Sequence, residues 1–183
     1  MPTGELQTNA IVRHAIGSGK QVFVPYLFKP SNPPLDTPKS VMEMVDLKDL
    51  SDYDSLKRDS WGIPTIGADT VEEREHVLSN ESRPLDMILM PGVAFEVDPE
   101  SKFMKRLGHG KGFYDYFLHR YKQVHGSQEG DGPGTEALLY GLALEEQFLK
   151  SDTGTSVPVG ENDNLLHGLI VGNQIVEGPL ARE

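Results

Sequence analysis

Residues 106 to 112 read Arg-Leu-Gly-His-Gly-Lys-Gly, three glycines at alternate positions, followed at once by Phe113-Tyr114-Asp115. Phe113, Phe117 and Tyr121 then recur every fourth residue, which predicts a helix beginning where the glycines end. A glycine loop entering a helix leaves several backbone N–H groups unpaired at the positive end of the helix dipole, a setting that suits phosphate. Arg106 and Lys111 add full charges at the two ends of the loop, the first able to fork and the second a mobile point charge. Asp115, on the first helical turn, would be stabilised by the dipole and could hold Mg²⁺ against bound phosphates. The spacing matches neither the dinucleotide-binding glycine pattern nor the Walker pattern. On composition alone two readings stay open: a phosphate cradle, or a glycine-rich turn with a solvated basic face and a plain helix-terminal acid.

The charge around this loop runs against the rest of the chain. Lys102, Lys105, Arg106, Lys111, Arg120 and Lys122 face the single acid Asp115 between positions 102 and 122, a local +5, whereas the 183 residues together carry −11. An acidic chain argues against nucleic acid or anionic lipid as a partner of the whole surface, so an anionic ligand needs a local basic site. With 37% apolar and 25% charged residues the composition is globular. The length fits one domain, 1–183, on a prior of about 150 residues each. The chain has no cysteine, which excludes disulfides and thiolate metal sites. No apolar stretch approaches the roughly 20 residues needed to span a bilayer, and the Met-Pro-Thr-Gly-Glu start has no signal-peptide character. The six histidines show no zinc spacing. His14, His76, His119 and His125 are expected at the surface.

The elements that must position the loop alternate between helix-like and strand-like segments, which points to an α/β domain. Residues 4–16 can form a helix with Leu6, Ala10, Ile11 and Ala15 on one side, closed by Gly17-Ser18-Gly19. Residues 21–26 read as a buried strand before a loop holding Pro30, Pro33, Pro34 and Pro38. Residues 41–47 alternate as a strand, 50–59 are ambiguous, and Trp61-Gly62-Ile63-Pro64 makes a turn. Residues 86–90 (DMILM), halted by Pro91-Gly92, look like a central strand of a parallel sheet delivering a loop at its carboxyl end, and 137–144 (ALLYGLAL) like another. Residues 126–135 read as a flexible surface loop. Residues 168–171 and 174–177 flank Gly172-Asn173, a hairpin signal. The expected fold is a three-layer α/β sandwich with a mainly parallel central sheet, a C-terminal hairpin, and the glycine loop at strand carboxyl ends.

Pro91-Gly92-Val93-Ala94-Phe95 followed by Arg106 to Asp115 resembles the signature of the 5-formyltetrahydrofolate cyclo-ligase (methenyltetrahydrofolate synthetase) family. Supporting similarities lie at Met1-Pro2-Thr3-Gly4-Glu5 with Thr8, at Gly19-Lys20, at Trp61-Gly62-Ile63-Pro64, and at Val157-Pro158-Val159 leading to Asn162-Asp163. The resemblance implies ATP- and Mg²⁺-dependent closure of 5-formyltetrahydrofolate to 5,10-methenyltetrahydrofolate, with release of ADP and phosphate after phosphorylation of the N5-formyl oxygen. It implies that Arg106, Leu107, Gly108, His109, Gly110, Lys111, Gly112, Phe113 and Tyr114 surround the ATP phosphates, with Arg106 and Lys111 catalytic. His109 to Phe113 would also face the folate. Glu5 is similar to the family's substrate-binding glutamate, Trp61 and Tyr114 would pack on the flat rings, and Asp115 and Asp163 would share Mg²⁺. The implied partners are the folate and ATP, acting on a monomer, with no nucleic acid and no membrane, in the cytoplasm or, with an earlier start, the mitochondrion.

Several positions depart from the family pattern. His109 stands where an arginine is common, Phe113 replaces the first tyrosine of a pair, Glu96 takes the place of an aspartate, and His167 occupies a frequent aspartate position. The family's N-terminal basic helix, second helix and first strand have no counterpart before Met1, so the chain is expected to be an N-terminally truncated version. Two rival functions follow. One is a catalytically impaired folate-binding module. The other is a sugar-phosphate or coenzyme A enzyme of similar architecture, which the Phe-Tyr-Asp continuation fits poorly.

Overall fold

The computed structural model describes residues 7–31, 37–60, 62–126, 137–149, 154, 156–160 and 163–179. It is a mixed α/β protein whose strands pair both parallel and antiparallel in several sheets. The residues cluster in two compact units, one formed by 1–83 with 116–126 and the other by 84–115 with 127–183. Among the described residues no helix is long and apolar enough to cross a membrane.

In the first unit, helix α1 (Asn9–Gly17) ends as the Gly17-Ser18-Gly19 signal predicts. Gly19 sits at φ 73, its N–H donates to Ile16 O at 2.9 Å, and the Lys20 N–H donates to Ala15 O at 3.0 Å. That pair of bonds is a Schellman closure, which a left-handed glycine permits without Cβ strain. Of the helix expected over 4–16, residues 4–6 lie outside the described residues, Gln7 and Thr8 are not helical, and the helix runs from Asn9.

Strand β1 (Val22–Phe28) pairs antiparallel with β2 (Val41–Leu47), from Val22 opposite Leu47 to Phe28 opposite Val41. The expectation of a buried strand at 21–26 is corrected. β1 is the half-exposed member, and β2 is the buried one. The reason lies on the far side of β2, where Val45 bridges to His76 and the Val77 N–H donates to Met44 O at 3.0 Å. Pro25, which cannot donate to a ladder, is tolerated because β1 is outermost of this pair.

The ambiguous stretch 50–59 resolves into α2 (Leu50–Ser55) and β3 (Lys57–Arg58), which turns through Gly62 at φ 78 into β4 (Pro64–Thr65). Asp49 caps α2 by accepting from the Asp52 N–H at 2.7 Å. Val45, Leu47, Tyr53, Ile66 and Val71 form this unit's core, with Val12, Ile16 and Val24 packed against it.

In the second unit β5 (Met87–Pro91), β8 (Leu138–Ala143), β10 (Gly168–Val171) and β11 (Gln174–Glu177) stand in the order β11-β10-β8-β5. β8 lies parallel to both β5 and β10, and β10 and β11 form the predicted antiparallel hairpin with Val171 opposite Gln174. The expectation that 86–90 is a central strand is corrected: β5 is outermost of the four, and 137–144 supplies the central one. A continuous apolar run reports burial and not position in the sheet; Met87 on β5 is 46% exposed. A second sheet, ordered β7-β6-β9, is made by β6 (Ala94–Val97), β7 (Met104–Leu107) and β9 (Phe148–Leu149).

Helix α3 (Phe113–His125) begins directly after the glycines and buries Phe117, Leu118 and Tyr121, as the fourth-residue recurrence predicts. The expectation of four surface histidines is corrected for two of them. His76 and His125 are half-buried, with His76 Nε2 3.1 Å from Val71 O and His125 Nε2 2.7 Å from Val77 O. The predicted loop 126–135 lies outside the described residues beyond Gly126.

Candidate functional site

β5 ends at Pro91, turns at Gly92 into β6, and β7 runs back antiparallel with Leu107 opposite Ala94 and Arg106 opposite Phe95. The Val93 N–H donates to Leu107 O at 2.7 Å, which sets the start of the glycine loop beside the carboxyl end of β5. The Pro-Gly-x-x-Phe spacing has a steric cause. A Cβ on Gly92 would stand 2.6 Å from the Phe95 ring, and Phe95 is fully buried. Gln147 fixes the same turn by donating from Nε2 to Gly92 O at 2.8 Å while its Oε1 accepts from the Leu144 N–H at 2.8 Å.

The loop itself needs its glycines for different reasons. Gly110 and Gly112 lie at φ 74 and 63, left-handed backbone that L side chains avoid. Gly108 leaves room for Arg106, whose Nη1 would be 2.9 Å from an added Cβ. Among the described residues, the N–H groups of residues 108–112 have no hydrogen-bond acceptor. His109, Gly110, Lys111 and Gly112 are exposed, and Lys111 and His109 make no ion pair among the described residues.

Arg106 does the opposite. Its side chain is only 7% exposed, and Nη2 donates to both oxygens of Asp115, at 3.1 and 3.0 Å. Nη1 is directed to Pro91 O at 3.4 Å, the guanidinium carbon lies 5.6 Å from the centre of the Tyr114 ring, and Nε is buried with no hydrogen-bond partner among the described residues. The contact with Asp115 uses one nitrogen and is not the parallel two-nitrogen fork. Desolvation pushes the Tyr114 phenol up to about 12, against the pull of Arg106 in the other direction.

The structure thus brings Arg106, Gly108, Tyr114 and Asp115 together with Pro91 and Gly92. Asp163 is exposed and closes its own turn, accepting from the Gly160 N–H at 2.7 Å. Glu5 and Trp61 lie outside the described residues. The two carboxylates offer hard oxygen donors of the kind Mg²⁺ takes, and one or two suffice when phosphates supply the rest. Among the described residues no three or more histidine, aspartate or glutamate side chains gather around a metal position.

The +5 segment is less positive in the folded chain than in the sequence. Lys105 pairs with Asp98 at 3.0 Å, Arg106 with Asp115, and Arg120 with Glu43 at 3.7 Å. Asp98 is held down to about 2 by the Ser101 hydroxyl first, then by the Ser101 N–H and Lys105. Lys111 remains as the exposed cation of the loop.

Asp98 and Gln147 hold this site in place and escaped sequence reasoning, and Glu96 was marked in the sequence only as a departure from the family pattern. Asp98 could have been found from the Asp-x-x-Ser spacing, which favours a local turn. Glu96 accepts from the Ser156 hydroxyl at 2.9 Å and the Val157 N–H at 2.7 Å, and no local signal marks a partner 60 positions away. Gln147 is equally silent in sequence.

The model of the 5-formyltetrahydrofolate cyclo-ligase family matches residues 1–172. A Caenorhabditis elegans protein named "Probable 5-formyltetrahydrofolate cyclo-ligase" is 33% identical over 174 residues, covering 95% of this chain and 70% of its own length. The 5-formyltetrahydrofolate cyclo-ligase of Saccharomyces cerevisiae is 32% identical over 186 residues, covering 94% of this chain and 72% of its own length. The enzyme of the same name from Mus musculus is 32% identical over 160 residues, covering 87% and 64%.

Proposed function

Because the chain belongs to the 5-formyltetrahydrofolate cyclo-ligase family, we propose that it converts 5-formyltetrahydrofolate to 5,10-methenyltetrahydrofolate with ATP as the phosphoryl donor. The observation that carries the ATP part of this reading is the run of N–H groups over residues 108–112 that have no acceptor among the described residues, directly before a 13-residue helix, with Lys111 exposed among them. Such donors are pre-oriented toward an anion and need no rearrangement as charge moves.

A formamide oxygen is a poor leaving group. In the proposed sequence the N5-formyl oxygen bonds to the γ-phosphorus as the bond to the β-phosphate oxygen breaks and ADP departs. N10 then attacks the formyl carbon and loses its proton, and the C–O bond breaks to release phosphate. In the first step the backbone donors of 108–112 hold the phosphate oxygens, and the Lys111 ammonium neutralises charge as the phosphoryl group passes. His109 to Phe113 line the acceptor side of the same loop. Magnesium, held by Asp115 and Asp163, would supply further neutralisation of the phosphates. Glu5 and Trp61 are proposed folate contacts on the family resemblance alone.

The test is the rise of methenyl-folate absorbance with ATP, Mg²⁺ and 5-formyltetrahydrofolate. Lys111→Ala is expected to lower kcat by about 100-fold, the scale of losing one transition-state donor, with folate affinity changed far less. No absorbance change from the wild-type chain, with folate binding retained, would replace this reading by a folate-binding module.

A further inference from the structure

We propose that Arg106 is a positioning residue that acts on the nucleotide through Asp115 and does not itself bind phosphate. The proposal rests on the ATP-dependent reading above and assigns the loop's two cations different work.

Both terminal nitrogens of the guanidinium are engaged. Nη2 spans both Asp115 oxygens, Nη1 is directed to Pro91 O, and the plane lies by the Tyr114 ring. Cγ packs where a Cβ on Gly92 would be 3.1 Å away, and Nη1 fills the space left by Gly108. Nε is enclosed without an acceptor among the described residues, a cost that a side chain free to turn outward would relieve by meeting water. The arrangement therefore serves the edge that meets Asp115. A carboxylate held at both oxygens has one orientation, and partners that fix a ligand's orientation typically change metal affinity by roughly 10–100-fold when removed. Lys111, four residues after the β-strand end and exposed, is the cation that phosphate can reach.

The full chain is titrated with ATP by calorimetry, in EDTA and in excess Mg²⁺, for wild type, Arg106→Lys, Asp115→Asn and the double variant. Lysine keeps the charge but offers a point contact, so electrostatics in the metal-free arm stay nearly constant. Arg106→Lys is expected to leave metal-free ATP affinity within about 2-fold and to reduce the gain on adding Mg²⁺ by roughly 10-fold or more. In the Asp115→Asn background the same change is expected to do nothing further. Equal losses in EDTA and Mg²⁺ that persist in the Asp115→Asn background would identify Arg106 as a direct phosphate ligand and overturn the proposal. If the lysine variant melts before titration, Arg106→Met is compared with wild-type Arg106 in the Asp115→Asn background, where a metal-free loss above about 10-fold overturns the proposal and a smaller one supports it. Absence of ATP binding by wild type in both buffers would instead remove the ATP-dependent reading and this inference with it.

Discussion

Tyr114 joins the chemistry of the loop to a measurable property of the folded chain. Its phenol is pushed from 10.0 to about 12, chiefly because burial disfavours the phenolate. A group whose folded value lies above its unfolded value contributes stability that is present below the unfolded value and lost as pH rises through the folded one. Wild-type stability, measured by chemical denaturation, should therefore fall more steeply between about pH 10 and 12 than that of Tyr114→Phe; parallel curves would contradict the assignment. At this scale the sequence was informative about residue type but not direction. Arg106 and Lys111 are equally basic letters five positions apart, yet one is folded inward onto Asp115 and the other is exposed. Nothing in the spacing distinguishes them, because the difference comes from Pro91, Gly92 and Tyr114 closing around one of the two.

At the scale of elements, β8 carries the second unit's sheet, and Gly141 marks the tightest point of its packing. An added Cβ there would stand 2.6 Å from the Phe95 ring and 2.7 Å from Leu169 Cδ1, both belonging to fully buried side chains. Gly141→Ala is expected to cost about 1–3 kcal/mol as overpacking, lowering Tm by several degrees, whereas Ile175→Thr, at a site 62% exposed, should change stability by no more than about 0.5 kcal/mol. Equal shifts in a thermal melt would show that the contact is relieved at no cost. Elements with a strong local pattern were legible from sequence: the hairpin at 168–177, the strand at 41–47 and the helix after the glycines all stand where periodicity and turn chemistry predict. Burial rank was not. Residues 21–26 and 86–90 look like interior strands, yet each is the outer member of its pairing, since apolar content does not record which neighbours arrive from elsewhere.

Not every acid behind the net charge of −11 is a free surface charge. Glu43 is buried, with desolvation raising its pKa against the Met44 N–H, Arg120 and His76, and with Tyr26 opposite it on β1. A raised carboxyl binds protons more tightly folded than unfolded, so its contribution is present at acid pH and lost as pH rises through the folded value. Asp98 has the opposite sign: its contribution is present above the ordinary carboxylate range and lost as pH falls toward about 2. Glu43→Gln keeps the acceptor for Met44 and removes the charge, so its urea midpoint should gain on wild type as pH rises above the ordinary glutamate range. A constant difference would mean Glu43 is ionised at no cost. The sequence by itself determined the family, the loop and the helix that follows it, because glycine spacing and a fourth-residue apolar repeat act over a few neighbouring residues. Only the tertiary structure decided how the +5 segment is used. Asp98 and Asp115 are near in sequence, but Glu43 lies 77 positions from Arg120, and Pro91 lies 15 positions from Arg106. Pairing a cation at that range depends on strand register and helix placement, and those settle which charge is consumed inside the fold and which stays exposed.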